Sequence, residues 1–483
     1  MKDKKHFYIT TTLPYINSEP HIGFAAEMIK ADVIARYKRQ RGQEVFFNTG
    51  TDEHGLKIYQ KAQELKMDVQ VYCDEYSAKF RPLKEKLNLT YNKFIRTTDA
   101  DHVAAAQAFW KKCDASGDIY KKSYRVKYCV GCELEKTDSE LVNGRCPLHP
   151  DRELEIIEEE NYFFRFSKYQ GQLLKLYEKN KDFVLPASRL KEIKTFVTGG
   201  LEDFSISRLK SKMPNGVPVP GDETQVMYVW FDALVNYIST LGWPDDYDQS
   251  GNFKTYWPGL QVCGKDNLRP QAAMWQAMLM SAGLPASRQI LVFGFLTANG
   301  QKISKSLGNT VDPYELSDKY GADAVRYYLL AEIPPFEDGD YSEEKFKERY
   351  NADLANGLGN LAARVSNLLE KNEIKTDLKI HLTDSGTKDL AKSFELLMVS
   401  YRFNEALSII WNKLGDCNEI ISRTAPWKMT DKKEIAAVLK PLSQTILNCA
   451  YLLEPFIPSV AQKIQAQFSA SQIKKGEILF PRV

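Results

Sequence analysis

The first 55 residues alternate between strand-like and helix-like patterns, and this alternation limits the possible fold more than any other feature of the chain. The run HFYITTTLPY (6–15) is rich in β-branched and aromatic residues, which predicts a strand. Residues 23–42 carry apolar side chains at helical spacing and end at a glycine, which predicts a helix. QEVFFNTGTDEHG (43–55) is a second strand-like run that ends in a polar loop. A strand, a helix and a strand in this order form a βαβ unit, which requires a parallel sheet.

The segment LPYINSEPHIG (13–23) joins the first predicted strand to the first predicted helix. Ligands of parallel sheets bind beyond the carboxyl ends of the strands, where this segment and TGTDEHG (49–55) both lie. The unpaired N–H groups and positive dipole end of a helix N-terminus favour a phosphate. His21 could donate a hydrogen bond to that phosphate, and Gly23 would allow its close approach. By itself, a Pro-His pair at a helix start is more often a simple turn.

Composition restricts the function classes further. A chain of 483 residues is long enough for about three domains. The net charge of +2 neither requires nor excludes a nucleic-acid partner, because a polyanion needs only a local basic face. No apolar run reaches the ~18–20 residues that span a membrane, and the basic start is a poor signal peptide. We therefore expect a cytoplasmic protein without membrane association.

Three of the eight cysteines cluster with a histidine, whereas the other five are scattered and are expected to be buried thiols. The cluster is a C-x2-C and C-x2-H set made of Cys129, Cys132, Cys146 and His149. Three thiolates and one imidazole complete a tetrahedral Zn²⁺ site that has no open position for water, so the zinc would be structural. The sequence contains no second complete set, which predicts one zinc ion.

The segment QKISKSLGN (301–309) follows a late predicted strand and the turn signal Asn299-Gly300. Lys302 and Lys305 flank Ser304 in this segment. On a loop after a strand, the two lysines could clamp a polyphosphate as its negative charge grows in a transition state. An exposed polar loop without a ligand is an equally open interpretation.

Taken together, the His-Ile-Gly junction and the Lys-Ile-Ser-Lys-Ser loop resemble the paired signatures of class I aminoacyl-tRNA synthetases. The resemblance narrows to the methionyl-tRNA synthetase family through segments that run from residue 13 to residue 427: LPYINSEPHIG, GTDEHG, ENYFFRFSKY, GLEDFSISR, YVWFDALVNY, GKD, QKISKSLGN, GADAVRYYLL, NADLANGLGNLAARV and APW. It implies an enzyme that joins methionine to ATP, releases pyrophosphate, and transfers the methionyl group to the 3′ end of tRNA(Met) for initiation and elongation.

The resemblance and the pattern of elements together predict an α/β fold with a Rossmann-type parallel-sheet catalytic domain, a zinc-containing connective insertion and a C-terminal α-helical bundle. The predicted segments are 1–115 (first half of the catalytic domain), 116–222 (insertion), 223–310 (second half of the catalytic domain), 311–345 (stem-contact linker) and 346–483 (anticodon-binding bundle). Within the second catalytic half, we expect a strand at 225–231 and a helix at 232–241.

The resemblance also implies which residues bind the substrates. The catalytic residues would be His21, Lys302 and Lys305, which stabilise the leaving pyrophosphate while Mg²⁺ binds the phosphates of ATP. The ATP site would comprise Gly23, Phe24, Gly264, Asp266, Lys302, Ser304 and Lys305. The methionine site would comprise Leu13, Tyr15, Asp52, Trp230, Tyr237 and Gln271. Asp52 would bind the substrate ammonium, and the aromatic rings suit the polarizable sulfur of methionine. Ordinary core packing is the alternative for Trp230 and Tyr237.

The helical region contains a candidate tRNA-binding face. Asn356, Asn360 and Arg364 recur every four residues, and Trp427 lies in TAPWK. A planar ring with amide and guanidinium donors suits unstacked bases. The resemblance implies that Asn360, Arg364 and Trp427 read the CAU anticodon of tRNA(Met), and Asn356 is placed with them by its spacing on the same helix face. A polar helix surface and a packed tryptophan are the alternative. A short segment follows the helical region, where some relatives have an additional dimerising domain, so we expect a monomer.

Two positions depart from the pattern of the family. Phe24 replaces the usual second histidine of the first motif, and Gln271 replaces a histidine that is common near the methionine site. A phenyl ring cannot donate to a phosphate, whereas glutamine keeps a donor and an acceptor. The departures leave a catalytically impaired tRNA-binding paralogue as the alternative function. Class I ligases for leucine, isoleucine or valine are less suitable, because the insertion is too short for their editing domain.

Overall fold

The computed structural model describes residues 5–132, 134–136, 138–245, 251–303, 309–383 and 386–483, with the backbone alone at 124–126, 134, 135, 139, 157 and 302. The β-strands are β1 His6–Thr10, β2 Glu44–Thr51, β3 Lys93–Arg96, β4 Ile119–Cys129, β5 Leu134–Lys136, β6 Glu155–Phe164, β7 Val184–Leu185, β8 Phe204–Ser205, β9 Ser207–Leu209, β10 Pro218–Val219, β11 Asp222–Met227, β12 Leu260–Gly264, β13 Gln289–Phe293, β14 Leu296–Ala298, β15 Gln301–Lys302 and β16 Gly339–Tyr341. The α-helices are α1 Ile22–Gln40, α2 Leu56–Glu64, α3 Val69–Ala78, α4 Leu83–Lys86, α5 Ala100–Ala115, α6 Gln170–Lys179, α7 Ala187–Thr198, α8 Val229–Ala233, α9 Asn236–Ser239, α10 Asn252–Tyr256, α11 Trp275–Ser281, α12 Pro313–Tyr320, α13 Ala322–Ala331, α14 Glu343–Arg349, α15 Asn360–Lys371, α16 Lys388–Val399, α17 Phe403–Thr424, α18 Lys432–Leu453 and α19 Pro458–Phe468.

The central sheet consists of parallel strands in the order β3-β2-β1-β12-β13-β7. β1 pairs with β2 along its whole length, from His6 with Glu44 to Thr10 with Asn48. Every residue of β1 after His6 is buried, as is typical of a parallel strand covered on both faces. Strand order reverses between β1 and β12, and ligands of open α/β sheets bind in the crevice at such a point. The predicted parallel architecture is therefore confirmed.

The helix predicted after the first strand is also confirmed. α1 begins at Ile22, and the turn after it contains Gly42 at a φ of 80°, a left-handed conformation that glycine adopts without steric cost. Apolar side chains of α1 pack on one face of the central sheet together with Phe7 and Ile9 of β1. Tyr8 points to the opposite face, into a second apolar core. The N-terminus of α1 is thus held rigidly at the crevice between β1 and β12.

The prediction of a strand at 225–231 is wrong for its second half. β11 ends at Met227 and α8 begins at Val229, so Trp230 lies on a helix. β11 pairs antiparallel with β9 and β10 and does not join the central sheet. The helix predicted at 232–241 is split into the short helices α8 and α9. A short apolar run does not distinguish a strand from a buried helix, and here both helices are buried in the second core.

Residues within the predicted insertion form a separate antiparallel sheet in the order β5-β4-β6-β8. β4 and β6 pair from Ile119 with Phe164 to Tyr128 with Glu155. β4 ends at Cys129, so this long ribbon carries the Cys/His cluster at its tip. Further along the chain, β7 pairs with β13 at the edge of the central sheet.

The C-terminal region is helical, as predicted. In α15, Leu361, Val365 and Leu369 are buried, whereas Asn360 is exposed. The buried faces of these helices share one continuous apolar core with α1 and β1, so the helical region packs directly on the sheet domain. In the part of the chain that the structure describes, no helix combines the length and apolarity needed to cross a membrane.

Candidate active site and metal centre

His21 caps the N-terminus of α1 at the predicted phosphate-binding junction. Its backbone is extended, and its Nδ1 accepts a hydrogen bond from the Gly23 N–H at 3.2 Å. Burial lowers the pKa of His21, which favours the neutral ring. A neutral imidazole that accepts through Nδ1 carries its proton on Nε2. His21 therefore presents one N–H donor, whereas the N–H groups of Ile22, Gly23, Phe24 and Ala25 already donate to acceptors within the protein.

The segment that follows the predicted lysine loop contacts this helix terminus. Lys302 lies in β15, where its backbone pairs with Thr297 of β14. Ser304 and Lys305 lie outside the described residues, as does the side chain of Lys302. Beyond the loop, the Val311 carbonyl accepts a hydrogen bond from the Ile22 N–H at 3.0 Å. The segment that follows the loop is thus attached to the first residue of α1.

Gly264 ends β12 on the other side of the crevice, and Asp266 lies in the turn that follows. A Cβ atom at residue 264 would lie 3.0 Å from Asp266 Oδ1, so this tight turn leaves little room for a larger residue. Glu27 of α1 accepts hydrogen bonds from the Thr12 N–H at 3.0 Å and the Thr12 hydroxyl at 2.6 Å. Burial raises the pKa of Glu27 to about 7, and the Asp266 carboxylate acts in the same direction. Sequence reasoning missed Glu27, although an acid one turn after Gly23 in an apolar helix was a usable signal.

Backbone pairing brings together the first three residues predicted for the methionine site. Tyr15 and Asp52 form an isolated parallel bridge, and the Asp52 N–H donates to the Pro14 carbonyl at 2.9 Å. Leu13 precedes Pro14 directly. The Asp52 side chain is 4% exposed, so a substrate cation at this carboxylate would be shielded from water. The arrangement suits recognition of an ammonium group by a charge-assisted hydrogen bond.

Tyr237 and Gln271 also lie together, in the second apolar core. The Gln271 amide donates a hydrogen bond to the Tyr237 hydroxyl and accepts one from Gln261 Nε2 at 2.9 Å. Trp230 packs against the same core and is partly exposed, and its buried Nε1 has no hydrogen-bond partner among the described residues. The Gln271 amide therefore donates to the Tyr237 hydroxyl and is itself held by Gln261, which fixes the position of the tyrosine.

Phe24 occupies a partly exposed position in the first turn of α1. Its ring packs edge-on against the buried ring of Phe80, with 5.6 Å between the ring centroids. The contact explains how an apolar residue is accommodated next to the phosphate-binding junction. It supplies no hydrogen-bond donor, so His21 is the side-chain donor that this helix terminus offers.

The four predicted metal ligands converge at the tip of the β4–β6 ribbon. All their ligand atoms lie within 4.8 Å of one another. Cys132 Sγ is 3.4 Å from Cys146 Sγ and 3.3 Å from His149 Nδ1, and Cys129 Sγ is 3.8 Å from the same Nδ1. Zinc bonds of about 2.3 Å in a tetrahedron require sulfur–sulfur edges of about 3.8 Å. The Cys3His set therefore fits a metal ion such as zinc with little adjustment.

Glycine is required beside this cluster for steric reasons. A Cβ atom at residue 131 would lie 2.4 Å from Cγ of His149. The Cys132 N–H also points to Cys129 Sγ at 3.4 Å. The backbone of Gly131 and Cys132 therefore packs directly against the His149 ring and the Cys129 sulfur.

Three of the predicted anticodon residues are exposed on the helical region, Asn356, Asn360 and Trp427, and Arg364 is partly exposed. Asn356 lies in a π-helix, Tyr350–Gly359, and its Oδ1 accepts a hydrogen bond from Arg482 Nε at 3.0 Å. Asn360 and Arg364 are one turn apart in α15. The Arg364 guanidinium carbon lies 5.3 Å from the ring centroid of Trp427, which is 49% exposed. The structure thus places an exposed ring beside a cation.

Sequence reasoning also missed a buried polar network next to the residues that are predicted to bind methionine. His54 Nδ1 is 2.5 Å from Asp232 Oδ2, and His102 Nε2 is 2.8 Å from Asp232 Oδ1. Burial would raise the pKa of Asp232, but the charges of His54 and His102 and their hydrogen bonds lower it to about 2. The residues are distant in sequence, so no local signal could have shown this contact.

The fold and these sites define a class I tRNA synthetase. A sequence model of the family described as "tRNA synthetases class I (M)" matches residues 7–153 and 150–366. The methionine–tRNA ligase of Thermosynechococcus vestitus is 43% identical over 98% of this chain and 92% of its own length. That of Thermotoga maritima is 43% identical over 98% of this chain and 77% of its own length. The chain therefore belongs to the methionyl-tRNA synthetase family.

The solved structures agree with this assignment. "Mycobacterium tuberculosis methionyl-tRNA synthetase in complex with methionyl-adenylate" superposes with a TM-score of 0.91 at 38% identity, covering 99% of this chain and 100% of that chain. The similarity extends through the sheet domain, the ribbon and the helical region, because nearly all residues of both chains are covered.

Proposed function

We propose that this chain is a methionine–tRNA ligase, which activates methionine with ATP and then charges tRNA(Met). The observation that carries the proposal is the 43% identity to ligases of that name over 98% of the chain. The mycobacterial neighbour binds methionyl-adenylate, the intermediate of this reaction. Both predicted substrate sites lie at the crevice where β1 and β12 separate, which is where a parallel sheet binds a nucleotide.

In the first step, a carboxylate oxygen of methionine attacks the α-phosphorus of ATP. A new P–O bond forms, the bond to the β-phosphate oxygen breaks, and its electron pair leaves with pyrophosphate. No protein nucleophile is needed, so the protein must align the reactants and stabilise the leaving charge. Alignment contributes up to ~7–11 kcal/mol in favourable cases, and one preorganised donor about 3–4 kcal/mol.

His21 is the proposed donor on the helix side of the leaving group, through its Nε2 proton. Lys302 and Lys305 are the proposed donors on the loop side, with Ser304 between them. Mg²⁺ bound to the phosphates would neutralise part of their charge. The hydrogen bond between Ile22 and Val311 supports this arrangement, because it attaches the segment after the loop to the same helix terminus.

In the second step, a terminal ribose hydroxyl of tRNA attacks the carbonyl carbon of the adenylate, and AMP leaves. The ester bond forms as the mixed-anhydride bond breaks, and the hydroxyl proton is transferred to the leaving phosphate or to solvent. Asp52 holds the methionyl ammonium during both steps, while Leu13, Tyr15, Trp230 and Tyr237 surround its side chain. Gln271 acts through its hydrogen bond to the Tyr237 hydroxyl.

The remaining elements of the proposal concern tRNA and metal. Asn356, Asn360, Arg364 and Trp427 would read the CAU anticodon, and the division into catalytic halves, insertion, linker and bundle follows the predicted boundaries. The Cys3His cluster would hold one structural zinc ion. Because its ligand set is closed, this ion would take no part in the reaction. A monomer in the cytoplasm, where tRNA is charged for translation, completes the proposal.

Two measurements on the purified chain test this function. We expect methionine-dependent exchange of pyrophosphate into ATP, followed by charging of tRNA with a CAU anticodon but not of the same tRNA with a changed anticodon. Exchange without charging would contradict the tRNA part. Binding of tRNA without any exchange would identify the chain as the impaired paralogue that Phe24 and Gln271 left open.

A further inference from the structure

The buried carboxylate of Asp232 joins two histidines from different parts of the chain. Asp232 and His102 are fully buried, and His54 is 5% exposed. His54 and His102 contact opposite oxygens of the carboxylate, at 2.5 and 2.8 Å. His102 Nδ1 lies a further 2.9 Å from Ser239 Oγ. A buried carboxylate is stable only when it is fully hydrogen-bonded, so the network fixes the segments that contribute to it.

The network joins segments of the chain that carry residues predicted for the methionine site. His54 follows Asp52 by two positions, and its N–H points to Asp52 Oδ1 at 3.4 Å. Asp232 follows Trp230 by two positions in α8. One arm of the network is the hydrogen bond between His54 and Asp232. It connects the predicted ammonium-binding loop after β2 to α8, the helix that carries Trp230.

The second arm runs to α5, which holds no predicted substrate residue, and through Ser239 Oγ to α9, the helix that also carries Tyr237. His102 lies in α5, which packs against the second core. The two arms have the same chemistry, because each is an imidazole that is hydrogen-bonded to the Asp232 carboxylate. They differ in the segments that they join to Asp232: His54 joins the Asp52 loop, whereas His102 joins α5 and Ser239 of α9.

We propose that Asp232, through His54, positions the Asp52 carboxylate for the ammonium group of methionine. The inference rests on the proposed function and assigns Asp232 and His54 as positioning residues, with no contact to substrate. The His102 arm stabilises the fold without setting the position of the loop. Loss of the His54 arm therefore weakens methionine binding specifically, whereas loss of the His102 arm weakens the fold alone.

The two arms provide matched variants, H54L and H102L, each of which removes one imidazole from the same carboxylate. In pyrophosphate exchange, we expect H54L to raise the KM for methionine about 10-fold, the equivalent of one hydrogen bond to a charged group, with the KM for ATP unchanged. H102L should lower the free energy of unfolding by a similar amount to H54L and leave the KM for methionine unchanged. H54N, whose amide can replace the Nδ1 donor, should restore most of the methionine affinity.

A ligand without the ammonium group shows whether the effect passes through Asp52. Calorimetry would compare L-methionine with 4-(methylthio)butanoic acid, which keeps the thioether and the carboxylate. The affinity lost by H54L should be large for methionine and nearly absent for the acid, because the acid makes no use of Asp52. Equal losses for both ligands, or equal methionine KM values in H54L and H102L, would overturn the positioning role.

The wild-type chain separates this inference from the proposed function. A wild type that neither binds methionine nor exchanges pyrophosphate would refute the proposed function itself. A wild type that does both, together with H54L and H102L variants that lose methionine affinity equally, would refute the positioning role alone.

Discussion

Arg326 and Asp32 form a salt bridge in the interior, with Arg326 Nη1 2.8 Å from Asp32 Oδ2 and both side chains fully buried. Asp32 belongs to α1, the helix that His21 caps, and Arg326 belongs to α13. The same guanidinium donates to the carbonyls of Phe456 and Pro455, at 2.8 and 2.9 Å, in the segment before α19. One side chain of α13 thus attaches the segment before α19 to α1.

Removing one partner of this pair should destabilise the whole chain. We expect R326M to lower the free energy of unfolding by about 3–5 kcal/mol, because it leaves the Asp32 charge buried with fewer partners. Urea unfolding followed by circular dichroism would measure it. The matched control is R349M, which breaks the partly exposed pairs with Glu332 and Asp353 and should cost about 0–1 kcal/mol per pair. Equal effects of the two variants would contradict a structural role for the buried pair.

A methyl group at residue 131 should damage the metal site. The Cβ atom of G131A would lie 2.4 Å from the His149 ring, so the imidazole must move away from the three thiolates. We expect zinc to be released to a chelator faster than from the wild type, while the circular dichroism spectrum stays close to that of the wild type. G171A is the control, because its Cβ meets no atom within 4 Å. Retention of zinc by G131A would show that the closed Cys3His geometry is incorrect.

Glu27 should make stability depend on pH. Burial raises its pKa from an ordinary value of 4.5 to about 7 in the folded chain. The folded state therefore binds the proton more tightly than the unfolded state, and the stabilisation that this provides is complete below pH ~4.5 and is lost as the pH rises through ~7. E27Q should lack this part of the pH dependence, as measured by urea unfolding between pH 5 and pH 8.

The control for the glutamate experiment is E75Q, at an exposed position of α3. It should follow the pH dependence of the wild type. A wild-type slope that persists in E27Q would assign the pH dependence to other groups.

The donor role of His21 can be separated from its capping role. Asparagine is as good an N-cap as any residue but lacks an N–H at the position of Nε2. We expect H21N to fold with wild-type stability and to lose about 10²–10³ in the rate of pyrophosphate exchange, the usual effect of removing one preorganised donor. A variant with near wild-type exchange would show that His21 is not a donor to the leaving group.

The sequence was most informative where local patterns decide the structure. The β1–α1–β2 unit follows from periodicity and from the glycine after α1, and the cysteine spacing alone predicted the cluster that the structure brings together. These features depend on residues that are close in the chain. The residues predicted to bind the substrates came from the resemblance instead, because Asp52 and Trp230 have no local signal that assigns them to one site.

Other features could not be predicted because tertiary contacts decide them. The run around Trp230 has the composition of a strand, but burial in the second core makes it a helix. The pairing of Asp232 with His54 and His102 joins residues up to 178 positions apart. The raised pKa of Glu27 likewise depends on its burial and, to a smaller extent, on the Asp266 carboxylate, which follows a different strand. Each of these depends on packing that no sequence period encodes.

Trp427 should contribute to tRNA charging without affecting adenylate formation. Its ring is 49% exposed and lies beside Arg364, and stacking of one base on an aromatic ring contributes about 1–3 kcal/mol. We expect W427A to lower kcat/KM for charging of CAU tRNA by about 10- to 100-fold and to leave pyrophosphate exchange unchanged.

V399A is the control, since Val399 is a similarly exposed apolar side chain of the helical region, and it should charge tRNA normally. With a tRNA whose anticodon is altered, W427A and the wild type should converge, because the stacked base is no longer presented correctly. A W427A variant that loses exchange and charging in parallel would indicate a packing role for the ring and would remove it from the proposed anticodon site.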